Sequence, residues 1–145
     1  MGAPTLAPRR VRAVLDTNAL LQSVGLKSTF RPIYNALLAG DYELVVSTSI
    51  LLEYEEVLGQ HHGPYLTATT LASLLLLDNL VRQRISYDFR LVEDDADDDK
   101  FVNAYIAGQA DYLVTDDRHF RTVLAARFPA VRVVSAEAFL GLLAA

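Results

Sequence analysis

Residues 11–18 read VRAVLDTN, an apolar run rich in β-branched residues that ends on an acid. This pattern is typical of a buried strand that leads into a turn or a helix cap, so we predict the first strand at residues 11–16. An acid in that place often does no more than cap the helix that follows. Asp16 becomes a candidate functional residue only if acids from other segments meet it.

Strand and helix patterns alternate along the rest of the chain, and GQHHGPY at residues 59–65 predicts a turn or loop between two helices. The longest apolar cluster, residues 71–80, predicts a core-facing helix, with a dimer face as the alternative. Weak alternation indicates extended structure at residues 81–92. Further strands are predicted at residues 42–47, 112–115 and 130–135, and helices at 31–40, 49–58, 67–80, 101–110, 118–128 and 136–143.

The alternation indicates repeated β-α-β units. It predicts an α/β fold, a three-layer α/β/α sandwich with a mainly parallel central sheet of about four to five strands. A chain of 145 residues, 52% of them hydrophobic, has the size and apolar content of one domain. We predict a flexible N-terminal segment at residues 1–10 and a single domain at residues 11–145.

Composition excludes several classes of site. The chain has no cysteine, so it has no disulfide, thiolate metal site or cysteine nucleophile. No apolar run reaches the roughly 18 residues of a membrane span, and we expect a soluble, cytoplasmic protein. The net charge of -5 is uneven, because six of the 18 acids lie in residues 93–99 and the other twelve face 13 basic residues. Outside that run the charge balance does not exclude a polyanionic partner.

Four segments of the chain bring acids to one predicted edge of the sheet. Parallel strands end at the same edge, and ligands bind beyond it. The first acid follows the first strand, and the second lies early in the helix after the second strand. The third pair begins the helix near residue 101, and the fourth pair follows the strand at residues 112–115. They are Asp16, Glu53, Asp98 with Asp99, and Asp116 with Asp117.

Each of these acids alone has an ordinary structural explanation as a helix cap, a solvated loop residue or an exposed helix residue. Together they raise the question why each β-α junction has an acid. Converging carboxylates repel one another unless a cation lies among them, and ligands that are all oxygen favour Mg²⁺ or Mn²⁺. Such ions lower the pKa of water and neutralise charge that develops on a phosphoryl group, which indicates phosphodiester hydrolysis.

Four stretches resemble, in order, the motifs of PIN-domain proteins, particularly the bacterial toxin components of toxin-antitoxin systems, the VapC-like ribonucleases. The stretches are VLDTNALLQS, VVSTSILLEYEEVL, DADDDKFVNAYIAGQADYLVTDDRHF and VVSAEAFL, and they extend from about residue 11 to residue 140. The resemblance implies a PIN-like fold and a metal-dependent endoribonuclease that hydrolyses single-stranded RNA with one or two Mg²⁺ or Mn²⁺ ions. It also implies a cognate antitoxin protein and a homodimer.

The resemblance also implies roles for individual residues. Thr17 and Asn18 are polar neighbours that help to hold the first acid, and Asn18 and Thr115 position a carboxylate or a water. The family spacing admits either of two acids at the third position, and Asp116 is an extra negative charge near the site. The implied catalytic and metal-binding acids are Asp16, Glu53, Asp98 or Asp99, and Asp117.

RNA needs cations to guide it across an acidic edge. The basic residues closest in sequence to the predicted site are Lys100, Arg118 and Arg121, and further candidates at the start of the chain are Arg9, Arg10 and Arg12. Scattered surface charges are the alternative interpretation of all six.

Three other functions fit parts of the pattern. A PIN-like module with weak catalysis, acting through protein or RNA contacts, is the main alternative. A phosphoacceptor receiver domain needs an acid beside Asp16 and a lysine late in the chain, but no lysine follows Lys100. A haloacid-dehalogenase-like phosphatase needs an aspartate where Asn18 stands.

Overall fold

The first strand lies at the centre of a five-stranded parallel sheet. A computed structural model of the chain describes residues 9–84 and 99–145. Its strands are β1 (Arg12–Leu15), β2 (Glu43–Val46), β3 (Leu80–Arg82), β4 (Tyr112–Val114) and β5 (Val133–Val134). They are ordered β3-β2-β1-β4-β5, and every neighbouring pair is parallel. The register places Ala13 beside Leu44 on one side and Tyr112 on the other.

Helices follow the strands and cover both faces of the sheet. They are α1 (Thr17–Val24), α2 (Arg31–Leu38), α3 (Thr48–Leu75), α4 (Asp99–Ala107), α5 (Arg118–Arg127) and α6 (Ala136–Ala144). The predicted three-layer α/β/α sandwich with a parallel central sheet is therefore confirmed. Among the described helices, none is both long enough and apolar enough to span a membrane.

The order of the strands creates a crevice. The chain moves outward from β1 to β3 on one side and then returns to β4 and β5 on the other. The neighbouring strands β1 and β4 are thus the point where the direction of winding reverses. In sheets of this kind the helices that follow such a pair diverge, and the crevice between them opens at the carboxyl ends of the strands.

The central strands are buried on both faces, which explains their continuous apolar sequences. Val14 and Leu15 in β1, Val45 in β2 and Val114 in β4 have no exposed surface. A strand with only one buried face would instead alternate apolar and polar residues. VRAVLD is therefore the signature of a central strand, as the sequence predicted.

The predicted loop at residues 59–65 is wrong in its extent. The helical assignment of α3 continues through this segment, and only Gly63, with φ 77° and ψ 172°, departs from helical geometry. A glycine reaches this positive φ without steric cost, and the fixed φ of Pro64 then starts the second half of the helix. One glycine and one proline suffice to redirect the helix, so no loop is needed.

The predicted helix at residues 67–80 is also too long. It ends at Leu75, and Leu80 already belongs to β3. Asn79, between α3 and β3, is held instead by its side-chain amide, which donates to the carbonyl oxygens of Leu37 at 2.9 Å and Tyr42 at 2.7 Å. The apolar cluster at residues 71–80 is therefore not a single helix, and only part of it faces the core.

Exposure within this apolar cluster is uneven. Leu74 is fully buried, whereas Leu75 and Leu76 are 51% and 83% exposed. Two further predictions fall mostly outside the described residues. These are the flexible segment, of which only residues 9 and 10 are described, and the extended structure beyond residue 84.

Close packing at Gly108 provides a test of how α4 lies on the sheet. A Cβ atom there would lie 2.5 Å from Cγ1 of Val45 and 2.9 Å from the carbonyl oxygen of Ala104. We expect Gly108→Ala to lower the free energy of unfolding by about 1–3 kcal/mol, the usual cost of overpacking. Urea unfolding followed by circular dichroism measures the change.

Gly59→Ala is the matched control. Gly59 is exposed in α3, and no atom lies within 4 Å of a Cβ built there. Helix propensity alone predicts a gain of roughly 0.5–1 kcal/mol for this substitution. Equal stability of the two variants would contradict the packing of α4 against β2.

Candidate active site

The crevice between β1 and β4 is lined by acids and amides. Asp16 follows β1 directly, and its backbone N–H donates to the carbonyl oxygen of Val114 in β4 at 3.0 Å. This bond brings the ends of the two strands together. A cleft of about 220 Å³ opens beside them, and its lining residues are Asn18, Ala19, Gln22, Asp116 and Asp117.

Asp16 is a buried carboxylate held by two hydrogen bonds. Its Oδ1 accepts from the backbone N–H of Ala19 at 2.7 Å and so caps α1, while its Oδ2 accepts from the hydroxyl of Thr115. Only 6% of the residue is exposed. Burial raises the pKa of Asp16, the two hydrogen bonds lower it, and the charges of Asp116 and Asp117 raise it further, with a net increase. Within the described part of the chain, no cation pairs with this carboxylate.

Thr115 links Asp16 to the second acid of the crevice. Thr115 is fully buried at the end of β4. Its Oγ1 accepts from the backbone N–H of Asp117 at 3.1 Å while its hydroxyl donates to Asp16. Asp117 is exposed, and its Oδ1 caps α5 by accepting from the N–H of Phe120 at 3.0 Å. One buried hydroxyl thus fixes the geometry between the two acids.

Asp116 has a structural role as well as a place in the cleft. Its Oδ1 accepts from the backbone N–H of Ala136 at 3.2 Å, so it ties the end of β4 to the start of α6. Its charge still contributes to the raised pKa of Asp16. The sequence predicted only the added negative charge.

Glu53 lies on α3 at the same edge of the sheet, but it is ion-paired. The Nζ of Lys100 is 2.7 Å from its Oε1, and the hydroxyl of Thr17 donates to its Oε2. The sequence placed Thr17 beside Asp16 as a support and Lys100 among the guides for RNA. In the structure both side chains contact Glu53 instead.

The third predicted acid cannot be placed. Asp98 lies outside the described residues, and Asp99 begins α4 with a side chain that is also outside them. Lys100 nevertheless brings the start of α4 to Glu53. Among the side chains that the structure describes, which exclude that of Asp99, no three Asp, Glu or His come close enough to hold a metal ion. The described residues therefore provide a partial set of oxygen ligands, in which a divalent ion would stabilise the charged form of buried Asp16.

Two amide side chains complete the wall of the cleft. Asn18, a predicted supporting residue, and Gln22 are both exposed and lie four residues apart on α1. Residues with this spacing share one face of a helix. Gln22 was not among the predicted site residues. Its spacing of four residues from Asn18 in the sequence was the signal that could have revealed it.

The predicted cations fall at two edges of the sheet. The carboxyl edge of the sheet, which carries Asp16, Glu53 and Asp117, is called the acid edge below. Arg118 and Arg121 are exposed on α5, next to this edge. They line a groove of about 580 Å³ together with Val131 and Val133. Arg9 and Arg12 lie at the opposite edge. There Arg9 pairs with Asp111 at 2.9 Å and Arg12 pairs with Glu43 at 3.3 Å.

Arg10 also lies at that opposite edge, where it donates to the carbonyl oxygen of Gly40 at 3.2 Å. The three N-terminal arginines therefore lie at the edge of the sheet opposite the crevice acids, where they are not placed to guide RNA to those acids.

The raised pKa of Asp16 predicts a specific pH dependence of stability. A carboxyl whose pKa is higher in the folded chain than in the unfolded chain destabilises the fold while it is ionised. This cost is complete above the folded pKa and disappears as the pH falls through it toward the ordinary value of 3.8. In EDTA, Asp16→Asn should therefore raise the melting temperature at pH 7.5, and the difference from the unsubstituted chain should shrink at acidic pH.

Asp117→Asn is the matched control, because it removes the same charge from an exposed helix cap. Asparagine caps helices about as well as aspartate, so both variants keep their caps. We expect no comparable stabilisation from Asp117→Asn. A destabilised Asp16→Asn variant whose difference did not change with pH would contradict the dominance of burial.

The fold of this chain is similar to those of several solved structures. One is a chain of VapBC2 from Rickettsia felis bound to a DNA fragment from their promoter, with 17% identity, 86% of this chain and 98% of that chain covered, and a TM-score of 0.60. Another is VapBC-1 from nontypeable Haemophilus influenzae, with 11% identity, 88% and 99% covered, and a TM-score of 0.59. A third is the PIN domain endonuclease Utp24, with 15% identity, 86% and 84% covered, and a TM-score of 0.54.

The sequence comparison agrees with these likenesses of fold. No curated protein sequence matches the chain. A family profile described as the PIN domain matches residues 12–119, which include β1 to β4 and the crevice acids Asp16, Asp116 and Asp117. Because this match covers most of the sequence, the chain belongs to the PIN-domain family.

Proposed function

We propose that the protein is a metal-dependent endoribonuclease that hydrolyses phosphodiester bonds of single-stranded RNA. The observation that carries the proposal is the environment of Asp16. This buried carboxylate has no cation partner in the described residues. It follows β1 of a PIN-domain sheet, where the direction of winding reverses between β1 and β4. A buried charge of this kind costs stability, and chains retain such residues where function needs them. The PIN family comprises nucleases, which is consistent with this assignment.

PIN domains generally use divalent metal ions. The residues that would hold Mg²⁺ or Mn²⁺ here are Asp16 and Asp117, with Asp98 or Asp99. Glu53 lies at the same edge of the sheet, paired with Lys100. A bound ion would lower the pKa of a water molecule and neutralise charge that develops on the phosphoryl group. This chemistry needs neither a histidine nor a cysteine.

The polar residues of the crevice orient the reacting groups. Thr115 fixes the carboxylate of Asp16 through its hydroxyl and the backbone of Asp117 through its oxygen. Asn18 and Gln22 face the cleft with side chains that can donate and accept hydrogen bonds. They are suited to hold a water or a phosphate oxygen next to the acids.

Arg118 and Arg121 provide positive charge for the RNA backbone. Both are exposed on α5, which begins directly after Asp117, and neither forms an ion pair within the described residues. Guanidinium groups bind phosphate oxygens in pairs, and this contact does not depend on base identity. We therefore assign these arginines to the backbone of the substrate on the side of α5.

We further propose that the chain is the toxin of a toxin-antitoxin pair in the cytoplasm. Support comes from the two structural neighbours that are VapBC assemblies. On this proposal a cognate antitoxin protein binds the chain and restrains the nuclease. A homodimer is the other proposed assembly, and exposed Leu75 and Leu76 at the end of α3 provide an apolar surface for it.

Cleavage of labelled single-stranded RNA is the direct test. We expect the purified chain to cut RNA with Mg²⁺ or Mn²⁺ and not with EDTA. Asp16→Asn should reduce the rate by at least about 100-fold, because it removes a charged ligand from the site. Asp41→Asn, which removes an exposed acid at the opposite edge of the sheet, should leave the rate unchanged. Metal-independent cleavage, or equal loss in both variants, would reject the proposal.

Thr115 provides a second test of the proposed site. It tests whether this hydroxyl orients Asp16, since Thr115 is not itself a proposed metal ligand. Thr115→Val keeps the shape of the side chain but removes the hydroxyl that joins Asp16 to Asp117. We expect a loss of roughly 10–100-fold in cleavage rate, typical of an outer residue that orients a metal ligand. Thr69→Val is the control, because that exposed hydroxyl donates to the carbonyl oxygen of Tyr65 within the second half of α3. The same rate in both variants would show that Thr115 has no orienting role.

A further inference from the structure

Lys100 is held inside the acid edge. Its Nζ lies 2.7 Å from Oε1 of Glu53, and the two side chains are only 20% and 23% exposed. The ammonium group is also 5.9 Å from the ring centroid of Phe101, close enough for a weak cation-π contact. A half-buried lysine held in this way does not extend into solvent to meet a substrate.

Both oxygens of Glu53 already have partners from the chain. Lys100 binds Oε1 and the hydroxyl of Thr17 binds Oε2. An ammonium group has no acceptor to offer a cation, so it repels any other positive charge at the same carboxylate oxygen. A divalent ion that took Glu53 as a ligand would have to displace Lys100.

Asp16 and Asp117 differ from Glu53 in the partners of their carboxylates. Asp16 is buried and accepts two hydrogen bonds, but it pairs with no cation among the described residues. Asp117 is exposed, and its Oδ1 caps α5. Among the described residues, a cation therefore pairs with Glu53 but with neither Asp16 nor Asp117.

In sites with two metals the ions lie roughly 3.5–4 Å apart and share neighbouring carboxylates. We propose that Lys100 takes the place of one of these ions at Glu53, so that the chain binds a single divalent ion on the side of Asp16 and Asp117. The inference rests on the proposed metal-dependent function and deepens it. Lys100 is then a positioning residue for Glu53 and a fixed positive charge of the site, not a guide for RNA.

The number of bound ions tests this assignment without measuring activity. We would titrate the full chain with Mn²⁺, following heat by calorimetry and free Mn²⁺ by electron paramagnetic resonance. The unsubstituted chain should bind one ion. Lys100→Met keeps the alkyl chain but removes the charge, and it should bind two. Lys27→Met, the same substitution at an exposed lysine outside the acid edge, should bind one.

A double variant keeps the test decisive if Lys100→Met alone does not fold. Glu53→Gln with Lys100→Met removes the ion pair as a unit, so no unpaired charge remains at that place. It should still bind one ion, with an affinity within about twofold of the unsubstituted chain. A loss of tenfold or more would show that Glu53 is itself a ligand and would overturn the assignment.

The remaining outcomes separate this inference from the proposed function. Two ions bound to the unsubstituted chain, or a single ion of unchanged affinity in Lys100→Met, would overturn the role of Lys100 even if RNA is cleaved. One ion in the unsubstituted chain and two in Lys100→Met, without cleavage of any RNA, would support Lys100 and reject the ribonuclease. Absence of any bound ion would overturn both.

Discussion

The common direction of the five strands is the constraint on which the candidate site depends. Because every pair of neighbours is parallel, all strands end at one edge, and the residues that follow them meet there. β1 occupies the centre, so Asp16 lies beside the end of β4 without any long loop to carry it. The acids come together because the sheet is parallel, although they are far apart in the sequence.

The same edge carries an uneven distribution of charge. The helix caps at Asp16 and Asp117 are acids that stabilise helix starts, and they would also serve as ligands in the proposed site. Burial makes Asp16 costly to ionise, whereas Glu53 is neutralised by Lys100. A carboxylate that caps a helix needs no other reason to be rigid, and rigidity is what a metal ligand requires. In the proposed site, the structural and catalytic demands on these residues therefore coincide.

Sequence patterns predicted the sheet because burial on both faces demands continuous apolar runs, as in β1 and β2. They failed where one residue acts on distant partners. Asn79 fixes the segment between α3 and β3 by donating to two carbonyl oxygens about forty positions away, which no local pattern contains. Likewise, the contact of Lys100 with Glu53 joins positions 47 apart. Acids at β-α junctions could be found from spacing, but the partner of each acid required the fold.

The break at Gly63 divides α3 into two halves with different surroundings. The first half carries Glu53 and is anchored in the core by Ile50, Tyr54 and Leu58, whereas the second half carries exposed Leu75 near its end. A continuous helix would transmit any shift at one end rigidly to the other, but a glycine with free φ absorbs it. A shift in the second half of α3 therefore need not move Glu53 or the first half of the helix.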